Sequence, residues 1–229
     1  MLQRPRAAAE QLVLLFHGVG GVPEDLAPLG ARLAAEFPNA FVVSVPGAHA
    51  SDIGTGRQWF SIRGITEDNR PARVAAALPL FRASVREWQR AANLTVEATA
   101  LVGFSQGGIM ALESARTSDA PAGRIVSIAG RFARPPERPP QHVTLHLLHG
   151  RADAVIPYAH TVLAAQLLVA RGADITADVL PFVGHEINDD VANCLIERLK
   201  SHVPRRLWEA ALQQDPGPYV STHRFNADE

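Results

Sequence analysis

Ala98-Thr99-Ala100-Leu101-Val102-Gly103-Phe104-Ser105-Gln106-Gly107-Gly108-Ile109-Met110-Ala111-Leu112-Glu113-Ser114 is the stretch on which the fold turns. It opens as a short apolar run of the kind buried in a sheet and closes in good helix formers. Between the two lies a G-x-S-x-G pentapeptide, Gly103 to Gly107, which puts Ser105 on a sharp strand-to-helix turn. Such a turn crowds the backbone on both sides of the serine, and Gly103 and Gly107 relieve that crowding. The helix opening at Gln106 directs free N–H groups toward negative charge developing beside the serine oxygen.

An alkyl hydroxyl is a poor nucleophile at neutral pH. It needs a general base, normally histidine, which needs a carboxylate to fix its tautomer and stabilise its charged form. In a strand-turn-helix setting of this kind the chain order is serine, acid, histidine. Downstream of Ser105, the strand-like Val143 to Leu148 leads into His149-Gly150-Arg151-Ala152-Asp153, and Asp153 is the candidate acid. A further strand-like run, Ile175 to Leu180, leads into Pro181-Phe182-Val183-Gly184-His185, with Gly184 permitting a tight loop and His185 the candidate base. Of the other histidines, His142 and His146 fall on one face of a predicted strand and read as structural. His202 and His223 lie near a polar carboxyl end, and His49 and His160 follow no strand end. His17 and His149 precede glycines at strand ends and are plausible neighbours of the site, outside the required order. His142, His146 and His149 cannot all project to one side of a strand, which argues against a metal site.

Two backbone donors must receive the oxyanion of a tetrahedral intermediate. The Gln106 N–H is one candidate. The other is the Val19 N–H, in the loop His17-Gly18-Val19-Gly20-Gly21 that follows the early apolar run Leu12 to Phe16. A nucleotide-binding reading of that loop is weaker, because Pro23 stands where a third glycine is needed and no Gly-Lys-Ser/Thr follows.

Apolar strands near 12–16, 41–45, 98–104, 124–129, 143–148 and 175–181 alternate with helices near 25–37, 72–92, 106–117, 158–170 and 188–201. The alternation predicts an α/β fold with a mostly parallel sheet covered on both faces, the strands from Ala98 onward being buried on two sides. Trp59 and Phe60, in the long loop before the helix near Ala72, are candidate pocket residues that could instead anchor the loop to the core. Arg57 and Arg131 admit both a substrate-facing and a structural reading. The proline-rich segment Arg134 to Pro140 reads as a stiff connector rather than a lid.

Leu15-Phe16-His17-Gly18-Val19-Gly20, Gly56-Arg57-Gln58-Trp59-Phe60, Gly103-Phe104-Ser105-Gln106-Gly107, His149-Gly150-Arg151-Ala152-Asp153 and Gly184-His185 together resemble the bacterial phospholipase/carboxylesterase group of the α/β-hydrolases, related to the acyl-protein thioesterases. The resemblance runs from about Leu12 to about Ser201. The stretch from Arg57 to Arg70 looks like one bacterial esterase sub-branch of that group. It implies an α/β-hydrolase fold and a cytoplasmic serine hydrolase of carboxylic or thioester bonds with no metal or organic cofactor. Position by position, the nucleophile falls on Ser105, the acid on Asp153, the base on His185 and the oxyanion donors on Val19 and Gln106. The chain departs from the group's pattern at Ser61, where an aspartate is common, and at Gly20-Gly21-Val22-Pro23. An acyltransferase using the same residues, and a non-catalytic fold that binds an acyl ligand or a protein, stay open.

Composition agrees. The 229 residues, 47% of them hydrophobic, suffice for one three-layer domain, expected over 11–203, with a flexible leader at 1–10 and a surface helix and frayed tail at 204–229. A net charge of −1 offers no broad attraction to nucleic acid or anionic membranes. The lone Cys194 cannot form an internal disulfide; it reads as a buried small apolar residue in a reducing compartment. No run approaches the length of a membrane span, and the first residues carry no apolar signal segment, so a cytoplasmic location is expected.

Overall fold

A computed structural model describes residues 1–5, 8–116 and 119–213. β1 (Gln11–Phe16), β2 (Ala40–Val45), β5 (Thr99–Phe104), β6 (Arg124–Ile128), β7 (Thr144–Gly150) and β8 (Asp174–Leu180) form a six-stranded sheet in the order β2-β1-β5-β6-β7-β8. Every neighbouring pair in it is parallel. All the loops that follow strands therefore emerge at one edge. The chain reverses its direction of travel across the sheet between β1 and β5, the kind of switch point where open α/β sheets gather ligands.

Period-two alternation divides each strand between two cores. Leu12, Leu14 and Phe16 of β1 join one cluster, beneath α2 (Arg70–Ala92), α3 (Gln106–Ser114) and α4 (Ala159–Val169). Val13 and Leu15 join the other, against α1 (Ala27–Glu36) and α5 (Asp189–Ser201). A side chain as fully buried as Leu14 or Phe81 contributes on the order of 2 kcal/mol relative to exposure, so the two layers are driven mainly by these residues. Asn188 caps α5, its Oδ1 accepting the Val191 N–H at 3.1 Å. The last helix, α6 (Arg205–Gln213), lies where a surface helix was expected, and the tail expected beyond it falls outside the described residues.

Several expectations need correction. β8 is an edge strand, and its residues are half-buried or exposed rather than buried on two sides. His142 precedes β7 with φ 59°, so it does not share a strand with His146. Cys194 is half-buried, and desolvation pushes its thiol up to about 11. The long loop after β2 contains a small antiparallel pair, β3 (His49–Ala50) with β4 (Arg57–Gln58), that the sequence pattern did not reveal.

Two residues near the start of the sequence, Leu2 and Gln3, are tied to the edge of the sheet. Gln3 forms an antiparallel bridge with Val42, its amide donates 3.0 Å to the Val42 carbonyl, and its side chain donates to the Phe37 and Ala40 carbonyls at 3.0 and 2.7 Å. Leu2 lies over Gly30 of α1, where a Cβ would come within 2.1 Å of Leu2 Cδ1. The open edge of β2 is thereby covered. Gln3→Ala is expected to lower unfolding stability by about 1 kcal/mol, read as a shift of the urea midpoint at unchanged slope.

Candidate active site

Ser105 is held at φ 52° and ψ −115°, a conformation that costs a non-glycine residue roughly 1–3 kcal/mol. Its N–H is fixed to the Ile128 carbonyl at 2.9 Å, and its carbonyl accepts from Ile109 in the first turn of α3 at 3.0 Å. The flanking glycines are demanded by space. A Cβ at Gly103 would stand 2.3 Å from the Gly107 carbonyl oxygen, and one at Gly107 would stand 2.2 Å from that of Phe16.

His185 Nε2 lies 2.9 Å from Ser105 Oγ, and His185 Nδ1 lies 2.7 Å from Asp153 Oδ2. The other carboxylate oxygen of Asp153 accepts the Val155 and Ile156 N–H groups at 2.8 and 2.9 Å. Burial pushes the Asp153 carboxyl up, but the bonds from His185, Ile156 and Val155 together outweigh it and hold the group below the usual carboxylate range. An ionised Asp153 can only accept, so His185 Nδ1 carries the proton and Nε2 offers its lone pair to the Ser105 hydroxyl. That arrangement can move the hydroxyl proton onto the imidazole while the serine oxygen attacks an electrophile.

The sequence left His17 and His149 as neighbours of the site, and both are buried there. His17 Nε2 accepts the Gly47 N–H at 2.9 Å, so its Nδ1 carries the proton and donates to the Gly18 carbonyl at 2.7 Å. Burial lowers its pKa, and the neutral ring pins the 17–21 loop to the loop after β2. Gly18 packs against Ser105, a Cβ there meeting Ser105 Cβ at 3.2 Å. Val19, next in that loop, lines the cavity beside His185, and Gln106 follows the serine directly. Among the described residues, neither amide N–H donates to a backbone carbonyl.

The Gln106 side chain clamps the covering loop. Its Oε1 accepts the Trp59 N–H at 2.7 Å and its Nε2 donates to the Phe60 carbonyl at 2.7 Å. Trp59 donates its indole N–H to the His17 carbonyl at 2.9 Å and packs edge-on against Phe16 and Phe81. Trp59 and Phe60 are 2% and 4% exposed and pack into the core, and they also border a surface groove with His49 and Arg73. Ser61 donates to Asp52 Oδ2 at 2.7 Å, an oxygen that also accepts the Ile62 and Arg63 N–H groups. Arg57 is structural, donating to the Gly47 and Ala48 carbonyls. Arg131 is engaged by Glu67 at 2.6 Å and lies 3.1 Å from His160 Nε2.

A cavity of about 440 Å³ opens beside His185, lined by Gly18, Val19, Phe104, Glu186 and Ile187 among others. Exposed apolar side chains stand on the surrounding loops: Ile53 against Gly20, Val155 beyond Asp153, and Phe182 ahead of His185. Phe182 is 97% exposed and has φ 63°. It, and not Gly184, supplies the left-handed residue of that turn; Gly184 has open space around it and needs no positive φ.

Residues 1–203 match the Phospholipase/Carboxylesterase family. The chain belongs to that family. It is 44% identical over 212 residues to Esterase YpfH of Escherichia coli (strain K12), spanning 93% of this chain and 91% of that one, in keeping with the sub-branch suggested by Arg57 to Arg70. Among solved structures it resembles esterase PE8, at 27% identity and TM-score 0.77 over 86% of this chain and 94% of the other. It shares its fold with a carboxylesterase from Mesorhizobium loti, at 20% identity and TM-score 0.71 over 85% and 90% of the two chains. The protein is thus a carboxylic ester hydrolase with the α/β-hydrolase fold. No described helix is long and apolar enough to cross a membrane.

Because Gly107 backs directly onto the Phe16 carbonyl, Gly107→Ala is expected to lose about 3 kcal/mol of stability by overpacking, measured by chemical denaturation.

Proposed function

We propose that the protein hydrolyses acyl esters by a two-step acyl transfer in which Ser105 is the nucleophile, His185 the general base and Asp153 its orienting acid. The observation that carries this reading is the unbroken chain of hydrogen bonds from Ser105 Oγ through His185 to Asp153, 2.9 and 2.7 Å long. Ser105 Oγ attacks the ester carbonyl carbon as His185 Nε2 takes its proton, and the carbonyl oxygen becomes an oxyanion received by the Val19 and Gln106 N–H groups. His185 then protonates the departing alcohol or thiol as its bond to the acyl carbon breaks. Water, deprotonated by the same imidazole, attacks the acyl-enzyme, and Ser105 leaves with the proton returned to it.

An acyl substrate suits the apolar rim of Ile53, Val155 and Phe182 around the serine turn. The half-buried single Cys194 fits a reducing, cytoplasmic setting for the enzyme.

Hydrolysis of p-nitrophenyl esters from acetyl to palmitoyl tests the reading. Ser105→Ala and His185→Ala are expected to leave almost no turnover, and Asp153→Asn to lower kcat by up to roughly 10⁴-fold. Near wild-type kcat in Asp153→Asn would sink the assignment of the acid. Phe182→Ser should lower kcat/KM for the longest esters about 10-fold and leave the acetyl ester unaffected. Asp153 has a depressed pKa, so its bond to His185 is present above the ordinary carboxylate range and is lost only as pH falls through the lowered value. The fall of kcat/KM on mild acidification should therefore follow a single proton, visible as unit slope in a logarithmic pH profile.

A further inference from the structure

The Asp153 carboxylate serves two histidines. His149 Nε2 lies 3.2 Å from the same Oδ2 that His185 Nδ1 approaches at 2.7 Å, and the Asp153 and His149 side chains are both 0% exposed. His149 Nε2 also lies 2.8 Å from the Ile156 carbonyl, and its Nδ1 lies 2.7 Å from Thr161 Oγ1. A carbonyl and an ionised carboxylate can only accept. Nε2 must then carry the proton, directed at the Ile156 carbonyl with Asp153 Oδ2 as a second, longer acceptor, while Nδ1 accepts from the Thr161 hydroxyl.

We propose that His149 is a positioning residue for the reaction: its Nε2–H fixes Asp153 Oδ2 from the buried side, so that the carboxylate meets His185 Nδ1 in one orientation. This rests on the triad reading given above. The fixing is needed because the Val155 and Ile156 amides hold only Oδ1, leaving Oδ2 a pivot about that end. With His149 in place, each carboxylate oxygen has a donor from outside the reacting pair. Desolvation keeps His149 neutral, so it supplies a dipole to Asp153 and brings no charge that would compete with the imidazolium formed on His185. The titratable groups that face His149 at the end of β7 are Asp153 on the loop that follows, His185 on the loop after β8 and His160 on α4, the last beside Arg131. Thr161, also on α4, completes the set and ties the rotamer of the acid to a helix that contributes none of the three proposed catalytic side chains.

The test compares wild type with His149→Phe, His149→Gln and Thr161→Val, with kcat normalised to the sites that a fluorophosphonate labels. Misfolded molecules then drop out of the rate. His149→Phe removes the donor, so kcat per labelled site should fall about 10-fold with KM for p-nitrophenyl acetate unchanged. The carboxylate, now lacking one donor, favours the charged imidazole more strongly, so the acid limb of kcat/KM should move to higher pH. His149→Gln can still present an N–H near Nε2 and should restore most of the rate and the wild-type limb. Thr161→Val leaves the ring and its tautomer in place but removes the bond that holds Nδ1, and should shift the limb in the same direction by less. An unchanged kcat per labelled site with an unmoved or downward-moving limb in both His149→Phe and Thr161→Val overturns the proposal and leaves His149 a packing residue. Absence of labelling and of turnover in the wild type would instead overturn the triad reading beneath it.

Discussion

The positive φ of Ser105 is the constraint on which the rest of this structure depends. A strained residue survives only where its surroundings leave no alternative, and here the surroundings are almost all backbone. The Ser105 N–H is held by the end of β6 and its carbonyl by α3, while Gly103, Gly107 and Gly108 lie where any Cβ would meet backbone or the Ser127 hydroxyl within 3.0 Å. The register of β1 on β5, Phe16 opposite Gly103, carries the 17–21 loop directly past the serine. The turn and the loop are thus one packed unit. Gln106, the first residue after the serine, extends that unit outward by bonding to Trp59 and Phe60 at both ends of its amide.

The second determinant of the site is the parallel sheet itself. β6 separates the serine-bearing β5 from β7, and Asp153 meets Ser105 through His185, which the loop after β8 delivers between them. That loop is stapled to its neighbour by backbone. The Arg151 N–H donates to the Leu180 carbonyl at 2.8 Å and the Ala152 N–H to the Val183 carbonyl at 2.9 Å. Gly150 makes the approach possible, since a Cβ there would stand 2.2 Å from the Val183 oxygen. The separation of Asp153 and His185 is therefore set by main-chain bonds, which vary less than side-chain contacts would. Phe182 takes the left-handed position between the two staples, which accounts for an aromatic residue held out in solvent.

The sheet and the residues around Ser105 were legible in the sequence because each has a local signature. The alternation of short apolar runs with helix formers gave the strands to within a residue or two. The chain order of Ser105, Asp153 and His185, together with a glycine-flanked serine, pointed to the side chains that the fold then brings within hydrogen-bond distance. Features that depend on what packs outside an element were not legible. The half-exposed state of β8 follows from its place at the sheet edge, and Ile175-Thr176-Ala177-Asp178-Val179 reads the same in a central or an edge strand. The ordering of Leu2 and Gln3 depends on the free edge of β2, some forty residues away. Gly184 looked like the loop's flexible residue because glycine tolerates left-handed backbone, yet the staples on either side impose that conformation on Phe182. The signal for His149 was present, a histidine four residues before the acid, but only the fold shows that its ring turns toward the carboxylate rather than away.

Three histidines converge on this edge of the sheet, and their differences support the proposal that His185 is the one that exchanges protons with a substrate. His17 has both ring nitrogens taken by backbone groups, and His149 has its nitrogens taken by Ile156 with Asp153 and by Thr161. Both are buried, and desolvation lowers the pKa of each, so both stay neutral donors and acceptors of fixed sense. His185 differs in one respect. Its Nδ1 is committed to Asp153, but its Nε2 faces a hydroxyl, and its side chain is 17% exposed. A proton arriving at Nε2 thus meets a carboxylate across the ring and solvent or substrate at its edge. On His17 or His149 the same proton would have to displace a hydrogen bond inside the core. In the proposed mechanism, the burial that keeps those two rings neutral also confines the positive charge of the transition state to the one imidazole that touches Ser105.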